Sequence, residues 1–204
     1  MTSHMPIMVD LHNKDVVVIG GGKVAARRIN VVVRYTHNIT VISPEVHDDI
    51  RALIEQGTIH WQARRYRGND VQNADFIIIA TDNSELNDSI SRESSSSALV
   101  NVASNAEAGN ATFPSIIHRG KLTLSVSTNG ASPQLTKQIK NELETKYDES
   151  YESYIDFLNQ CRIKVKHTSL STSEKQSLLK SLLSEEYFSQ IQQQEMLHYL
   201  DRLT

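Results

Sequence analysis

The sequence has very little cysteine, and neither sign of charge dominates it. Cys161 is the only cysteine among 204 residues, which excludes an internal disulfide and any CxxC motif. We therefore expect a reducing, cytoplasmic location. The formal net charge of −3 provides no basic field, so no nucleic acid partner is expected. With 39% hydrophobic and 22% charged residues, the composition is typical of a globular protein.

Long hydrophobic runs and metal-binding spacings are absent as well. No apolar run approaches the roughly 20 residues that a membrane-spanning helix requires, and no secretion signal is recognisable at the N-terminus. We therefore expect no membrane partner. The eight histidines include no pair at the spacing of zinc ligands, so the sequence predicts no metal site.

Short apolar strands alternate with helical stretches in the first hundred residues. The β-branched run at residues 15–19 is typical of a strand that is buried on both faces. Further strands are predicted at residues 39–42, 58–62, 76–80 and 99–103, with helices at 23–34, 47–56 and from 84. Such alternation predicts α/β structure, with a parallel sheet and right-handed crossovers. We expect a Rossmann-like domain over residues 1–113.

The pattern changes after Phe113. Strands are predicted at residues 115–118 and 121–127, and Ser132 with Pro133 has the pattern of a helix start. These elements indicate a small α+β region over residues 114–147. A C-terminal helical domain is predicted over residues 148–204, with helices at 149–166, 174–184 and 185–203 and a capping box formed by Ser171 and Glu174.

A glycine turn follows the first strand and begins the first helix. In Gly20-x-Gly22-x-x-Ala25, the first glycine permits the tight turn and the second lets backbone approach a pyrophosphate. The small Ala25 lets helix and strand pack closely. The helix N-terminus offers free N–H groups to the phosphates. We interpret the segment as a dinucleotide site; the alternative is a purely structural turn.

The end of the second strand bears on which nucleotide binds. Ser43 and Pro44 occupy the position of the usual ribose-binding acid, and Glu45 follows directly. No arginine stands there to meet a 2′-phosphate, so NAD is favoured over NADP. The Thr81-Asp82-Asn83 segment contacts the cofactor or only caps the next helix. The candidate cofactor-binding residues are Gly20, Gly21, Gly22, Lys23, Val24, Ser43, Pro44, Thr81 and Asp82.

Several segments in this order are characteristic of one family. They are residues 18–28 (VIGGGKVAARR), 80–82 (ATD), 101–103 (NVA), 113–115 (FPS) and 127–133 (STNGASP). Over residues 6–167 the chain resembles the precorrin-2 dehydrogenase family, which includes the N-terminal module of siroheme synthase. The resemblance implies oxidation of precorrin-2 to sirohydrochlorin with NAD⁺, and a homodimer formed largely through the region after Phe113. In some members the same site inserts iron.

The substrate of that family carries many carboxylates, so its pocket should offer cations and hydrogen-bond donors. The polar turn that leads into the helix at Pro133 is a natural anion site, although ordinary helix capping demands similar residues. Basic side chains are further candidates by charge, with solvated surface charge as the alternative. They are Arg64, Arg65, Arg67, His118, Arg119, Lys121 and Lys137. The candidate substrate-binding residues are His118, Thr128, Asn129, Gly130 and Ser132.

One position departs from the family. A functional aspartate of the family, implicated in dehydrogenation and chelation, follows the Asn-Val-Ala segment, and here Ser104 and then Asn105 stand there. Both are catalytic candidates by position, but neither can act as a carboxylate base. Two explanations stay open: hydride transfer without a carboxylate, or weakened catalysis. Glu107 lies nearby as a substitute.

These observations leave other functions open beside the dehydrogenase. A bifunctional dehydrogenase and ferrochelatase would require metal binding, which the absent carboxylate argues against. A weakly catalytic, NAD-binding sensor domain would explain the glycine turn and Ser104 together. A structural protein with an unused nucleotide fold is the remaining alternative. Turnover of precorrin-2 distinguishes the two enzymes, the dehydrogenase and the bifunctional protein, from the sensor domain and the structural protein.

Overall fold

The protein forms two compact units in a computed structural model that describes residues 4–203. The first unit ends at Phe113 and the second begins at Pro114. A further division of the second unit near residue 147 stays a prediction. Among the described residues, no helix is both long and apolar enough to cross a membrane.

The first unit is built on a sheet of five parallel strands, as the alternating pattern predicted. The strands are β1 (Val16–Ile19), β2 (Ile39–Ile42), β3 (His60–Gln62), β4 (Phe76–Ile79) and β5 (Leu99–Val102). Their spatial order is β3-β2-β1-β4-β5. The strands β2 and β3 therefore lie on one side of β1 and the strands β4 and β5 on the other, so the strand order reverses between β1 and β4. Ligands of open parallel sheets bind beyond the carboxyl ends of the strands at this reversal. The Rossmann-like prediction is confirmed.

Helices cover both faces of this sheet and create two cores. They are α1 (Lys23–Val32), α2 (Asp48–Glu55) and α3 (Ser84–Glu93). On one face Val18 packs with Ile29 of α1 and Ile50 of α2. On the other face Ile79 packs with Ile90 of α3. Because successive side chains of a strand point to opposite faces, strands covered on both sides are apolar throughout.

The element ends and two short turns differ from the sequence prediction. The helix predicted to reach Arg34 ends at Val32, and the strand predicted from Thr58 begins at His60. Two 3₁₀ turns, Gly68–Val71 and Ala106–Ala108, were not predicted. Both turns are held by side-chain hydrogen bonds rather than by an apolar repeat, which is why periodicity did not reveal them.

The second unit combines a hairpin with four helices. Strands β6 (Ser115–Arg119) and β7 (Leu122–Val126) pair antiparallel. The helices are α4 (Pro133–Lys146), α5 (Ser150–His167), α6 (Thr172–Ser181) and α7 (Gln190–Asp201). The helix predicted from residue 185 starts instead with a 3₁₀ turn, Glu185–Phe188, and becomes α-helical only at Gln190. The predicted capping box is confirmed, because Glu174 N–H donates to Ser171 Oγ and Ser171 N–H to the Glu174 carboxylate.

The core of the second unit lies among α5, α7 and the segment that precedes α7. Phe157, Cys161, Leu182 and Leu200 are almost completely buried there. Burial in these apolar surroundings raises the pKa of the Cys161 thiol to about 11, so the only cysteine is a packed hydrophobe rather than a reactive group.

Candidate nucleotide-binding and catalytic site

Gly20 brings the glycine turn directly against the end of β4. Its φ is +110°, and a Cβ built on it would lie 2.3 Å from the Ala80 carbonyl oxygen. Its N–H donates to the Ile42 carbonyl at 3.0 Å, which continues the pairing with β2. A side chain is therefore excluded both by the left-handed backbone and by the neighbouring strand.

Gly21 is fixed by the loop that follows β2. A Cβ on Gly21 would lie 2.1 Å from the Glu45 carbonyl oxygen and 2.8 Å from Ser43 Oγ. The Gly21 carbonyl accepts a hydrogen bond from His47 N–H at 2.7 Å. Residues 43–47 and the glycine turn are therefore packed directly against each other. The sequence named Gly21 as a candidate but could not give this reason, since the contact joins residues far apart in the chain.

Gly22 lies in open space at the start of α1. A Cβ built on Gly22 meets no atom within 4 Å. It is the N-cap of α1, no side chain caps the helix, and the first turn holds no acidic residue. The N–H groups of Lys23 and Val24 in this first turn therefore lack a capping side chain, and the helix dipole favours negative charge there. Ala25 is fully buried, as close packing of helix on sheet requires.

These features fit a dinucleotide pyrophosphate. Gly20 and Gly21 shape the turn, and Gly22 leaves the approach to the helix N-terminus clear. The first turn of α1 can then supply backbone donors to phosphate oxygens.

Trp61 holds the residue that ends β2. Its indole N–H donates to the Ser43 carbonyl at 2.9 Å, and Ser43 N–H donates to the Gln62 carbonyl at 3.3 Å. Ser43 is nearly buried, whereas Pro44 and Glu45 are exposed. Glu45 is thus an exposed acidic residue directly after the two positions at which a Rossmann domain carries its ribose-binding acid.

Arg64 follows the neighbouring strand but is bound elsewhere. Its guanidinium donates to both carboxylate oxygens of Asp70, at 2.7 and 2.6 Å, and Arg67 N–H donates to the same carboxylate at 2.7 Å. The hydrogen bonds from Arg64, with the backbone donor, hold the pKa of Asp70 below its ordinary value. This arginine is committed to the turn at Gly68–Val71 and is not free to meet a 2′-phosphate.

The two residues after Ala80 are not the cap of α3. Asn83 is the N-cap, and its Oδ1 accepts from Leu86 N–H at 2.9 Å. Thr81 instead forms hydrogen bonds with Asn83 and Asn87, and Asp82 is exposed. Of the two roles left open for the Thr81-Asp82-Asn83 segment, helix capping is confirmed for Asn83, whereas contact with a cofactor stays a prediction.

Asn87 is a buried polar residue of the candidate site that the sequence analysis did not identify. It lies on the inner face of α3 and is 1% exposed. Its Nδ2 donates to the Thr81 carbonyl at 3.1 Å and to Ser104 Oγ at 3.3 Å, while its Oδ1 accepts from Thr81 Oγ1 at 2.5 Å. The available signal was an amide three residues before the buried Ile90, on the apolar side of the helix.

Ser104 and Asn105 have separate roles. Ser104 follows β5, is exposed, and accepts the bond from Asn87. Asn105 Oδ1 accepts from Glu107 N–H at 3.1 Å and so starts the turn at Ala106–Ala108. Ser104 therefore joins Thr81 at the ends of β4 and β5, while Asn105 is a local cap.

The candidate substrate residues of the second unit are tied together by their own hydrogen bonds. His118 Nδ1 lies 3.1 Å from Thr123 Oγ1 across the hairpin. Ser132 caps α4 by accepting from Leu135 N–H at 3.2 Å, and Thr128 Oγ1 accepts from Ser132 N–H at 3.1 Å. Asn129 and Gly130 carry positive φ values of 49° and 83° in this turn. The turn is thus ordered by capping; its contact with a substrate stays a prediction.

Four candidate positions meet at one edge of the first unit. Gly20, Ser43, Thr81 and Ser104 follow the carboxyl ends of β1, β2, β4 and β5. Within residues 4–203, no group of three or more histidine, cysteine, aspartate or glutamate residues could hold a metal ion. The arrangement suits binding of a dinucleotide, and at the ends of β4 and β5 it offers the hydroxyl groups of Thr81 and Ser104 beside the exposed Asp82.

Comparisons with known proteins give consistent matches along the chain. Residues 7–115 match the family described as NAD(P)-binding. Residues 119–146 match the sirohaem biosynthesis protein central family, and residues 151–196 match the SirC C-terminal domain.

Individual relatives cover most of the sequence. Precorrin-2 dehydrogenase of Priestia megaterium is 36% identical over 197 residues, which is 96% of this chain and 98% of the relative. Precorrin-2 dehydrogenase of Bacillus subtilis is 39% identical over 160 residues, 78% of this chain and 99% of the relative. A solved structure of SirC, precorrin-2 dehydrogenase, superposes with a TM-score of 0.84 at 35% identity, covering 98% of this chain and 100% of that one.

Proposed function

The chain belongs to the precorrin-2 dehydrogenase family, and we propose that it oxidises precorrin-2 to sirohydrochlorin in siroheme biosynthesis, with NAD⁺ as the cofactor. The observation that carries the proposal is the open glycine turn at the reversal point of the sheet, where Gly22 leaves the N-terminus of α1 clear. Two relatives that are matched over nearly their full length are named precorrin-2 dehydrogenase.

The oxidation removes a hydride and a proton from a partly reduced tetrapyrrole. When bound, NAD⁺ supplies the hydride acceptor. The first turn of α1 would hold the pyrophosphate, and Gly20 and Gly21 shape the turn beside it. The main contribution of the chain is orientation of two bound reactants, which by itself accelerates a reaction strongly.

NAD⁺ rather than NADP⁺ is the proposed cofactor because of the charges near the end of β2. The exposed carboxylate of Glu45 would repel a 2′-phosphate and can accept hydrogen bonds from a ribose diol. Arg64, on the adjacent strand end, is held by Asp70. We expect the Kd for NADP⁺ to exceed that for NAD⁺ by about tenfold or more, measured by quenching of the single tryptophan, Trp61.

The proton leaves without a carboxylate base at position 104. Ser104 has no ionisable group in the working pH range, and Asn105 is occupied as a cap. Solvent is the proposed proton acceptor. The same feature argues against iron insertion, since a hydroxyl is a poorer ligand than the carboxylate that some family members place there.

We also propose a homodimer that forms through the region after Phe113. Leu135, Ile139 and Leu143 line one side of α4, none of them is buried, and Leu135 is 45% exposed. A second copy of the chain can cover such a stripe. Sedimentation equilibrium should give twice the chain mass, and Leu135→Glu should shift the protein toward single chains. A wild-type protein that sediments as a single chain would contradict the proposal.

The proposed location is the cytoplasm, in keeping with the unpaired Cys161.

The experiment is anaerobic incubation of the purified protein with precorrin-2 and NAD⁺, in which NADH formation and the sirohydrochlorin spectrum are followed together. Turnover well above the control without enzyme supports the dehydrogenase. Binding of NAD⁺ without turnover would favour a sensor domain. If the protein neither binds NAD⁺ nor oxidises precorrin-2, the result would favour a structural protein with an unused nucleotide fold.

A further inference from the structure

The side chain of Asn87 can take only one orientation. Its Oδ1 accepts from Thr81 Oγ1 at 2.5 Å, and its Nδ2 faces the Thr81 carbonyl at 3.1 Å. Rotation of the amide by half a turn would set Oδ1 against that carbonyl, so that two acceptors would face each other. The buried Asn87 therefore presents N–H, and not C=O, to Ser104.

This orientation decides what the Ser104 hydroxyl can do. Ser104 Oγ accepts from Asn87 Nδ2 at 3.3 Å, so its own proton is directed elsewhere. Ser104 is exposed at the carboxyl end of β5. A hydroxyl that accepts on one side is left to donate on the other.

The position of Ser104 after β5 determines which half of a bound dinucleotide would lie near it. The glycine turn after β1 seats the pyrophosphate, and the end of β2 belongs to the adenosine half of a dinucleotide. With the strand order β3-β2-β1-β4-β5, the ends of β4 and β5 lie on the opposite side of β1. A dinucleotide bound in this way would have its nicotinamide half near Thr81 and Ser104.

We propose that Asn87 is a positioning residue that holds the Ser104 hydroxyl as a hydrogen-bond donor toward the reacting pair, nicotinamide and tetrapyrrole. The inference rests on the proposed oxidation of precorrin-2. Asn87 touches neither reactant and acts through Ser104. The serine thereby supplies a neutral donor at the position where the resemblance to the family implies a carboxylate acceptor.

Asn87→Asp reverses the polarity of this contact with little change in shape. The ionised carboxylate can only accept, so it draws the Ser104 proton toward itself and away from the reactants; it also faces the Thr81 carbonyl. Burial raises the pKa of such a carboxyl, and its protonated form can donate again. We expect kcat to be about tenfold below wild type at about pH 8, with recovery toward about pH 6. Plotted as variant over wild type, kcat should fall as the pH rises.

Two further variants separate positioning from stability. Asn101→Asp is the matched control, because Asn101 is also a buried amide of the first unit, 3% exposed, and donates to the Ala111 carbonyl rather than to Ser104. Its kcat relative to wild type should not vary with pH. In a Ser104→Ala background, Asn87→Asp should lower kcat by less than about twofold, because the group through which it acts is gone.

A measurement without turnover keeps the two proposals distinguishable. In the ¹H–¹⁵N spectrum of the full chain, the side-chain amide of Asn87 should exchange slowly, and one of its two proton signals should shift in Ser104→Ala. If wild type fails to oxidise precorrin-2 while this shift is seen, the proposed function fails and the hydrogen bond stands. An unshifted Asn87 amide, a kcat ratio that does not vary with pH, or an equal loss in the Ser104→Ala background would overturn the positioning role.

Discussion

Gly20 and Ala80 are in contact through their backbones: a Cβ on Gly20 would lie 2.3 Å from the Ala80 carbonyl oxygen. The turn after β1 therefore lies against the end of β4, at the point where the strand order of the sheet reverses. The contact places the phosphate-binding turn beside the Thr81 loop. It also explains why only glycine fits at this position.

Gly20→Ala should destabilise the protein, whereas Gly22→Ala should not. The first substitution places a methyl group inside the Ala80 carbonyl contact at a φ of +110°, while the second enters open space at an ordinary φ. We expect a loss of about 3 kcal/mol in the free energy of unfolding for Gly20→Ala and less than about 1 kcal/mol for Gly22→Ala. Urea unfolding followed by circular dichroism measures both. Equal effects would show that the two glycines do not differ as described.

Gly22→Asp should abolish NAD⁺ binding without unfolding the protein. The substituted side chain stands at the N-terminus of α1, where its charge would meet the pyrophosphate. As an N-cap, aspartate is compatible with the helix, so the unfolding transition should stay near that of wild type. Trp61 fluorescence titration with NAD⁺ gives the Kd. Wild-type affinity in this variant would remove the glycine turn from the site.

Ser104→Asp should lower dehydrogenase activity rather than restore a lost function. The carboxylate can accept from Asn87 Nδ2, but it offers no proton to the reacting pair. We expect kcat to fall about tenfold. The assay is anaerobic turnover at saturating NAD⁺, with the NAD⁺ Kd as control. An increase in kcat would mean that the serine is a true loss of the acid and that a base improves this site.

Asp70→Asn should make the protein less stable at neutral pH but not in acid. Hydrogen bonds from Arg64 lower the pKa of Asp70 in the folded state, and the side chain is only 10% exposed. A lowered pKa gives stability that is present above the ordinary value and is lost as the pH falls through the folded one. We expect a difference of about 2 kcal/mol at neutral pH that shrinks below about pH 4. Urea unfolding at stepwise lower pH tests this; a constant difference would contradict it.

The strands and the glycine turn were predictable because their causes are local. A continuous β-branched run, as in β1, is typical of a strand buried on both faces, and Gly20 follows it immediately. The start of α4 was predictable for the same reason, since Ser132 and Pro133 are adjacent in the chain and cap it.

Other parts of the site depend on contacts between distant residues. Gly21 is fixed by the Glu45 carbonyl, and Ser104 by an amide seventeen positions earlier, Asn87. Neither contact leaves a periodic signal in the sequence, because a single amide on a helix is equally compatible with solvent exposure. The resemblance to the family drew attention to Ser104; its hydrogen bond became visible only in the structure.

The most direct test of the proposed function is the stoichiometry of anaerobic turnover. Wild-type protein, given precorrin-2 and NAD⁺, should form one NADH for each sirohydrochlorin, and Gly22→Asp should form neither above the control without enzyme. Sirohydrochlorin that accumulates without NADH, or at the same rate in Gly22→Asp, would contradict a dehydrogenase whose cofactor binds at the glycine turn.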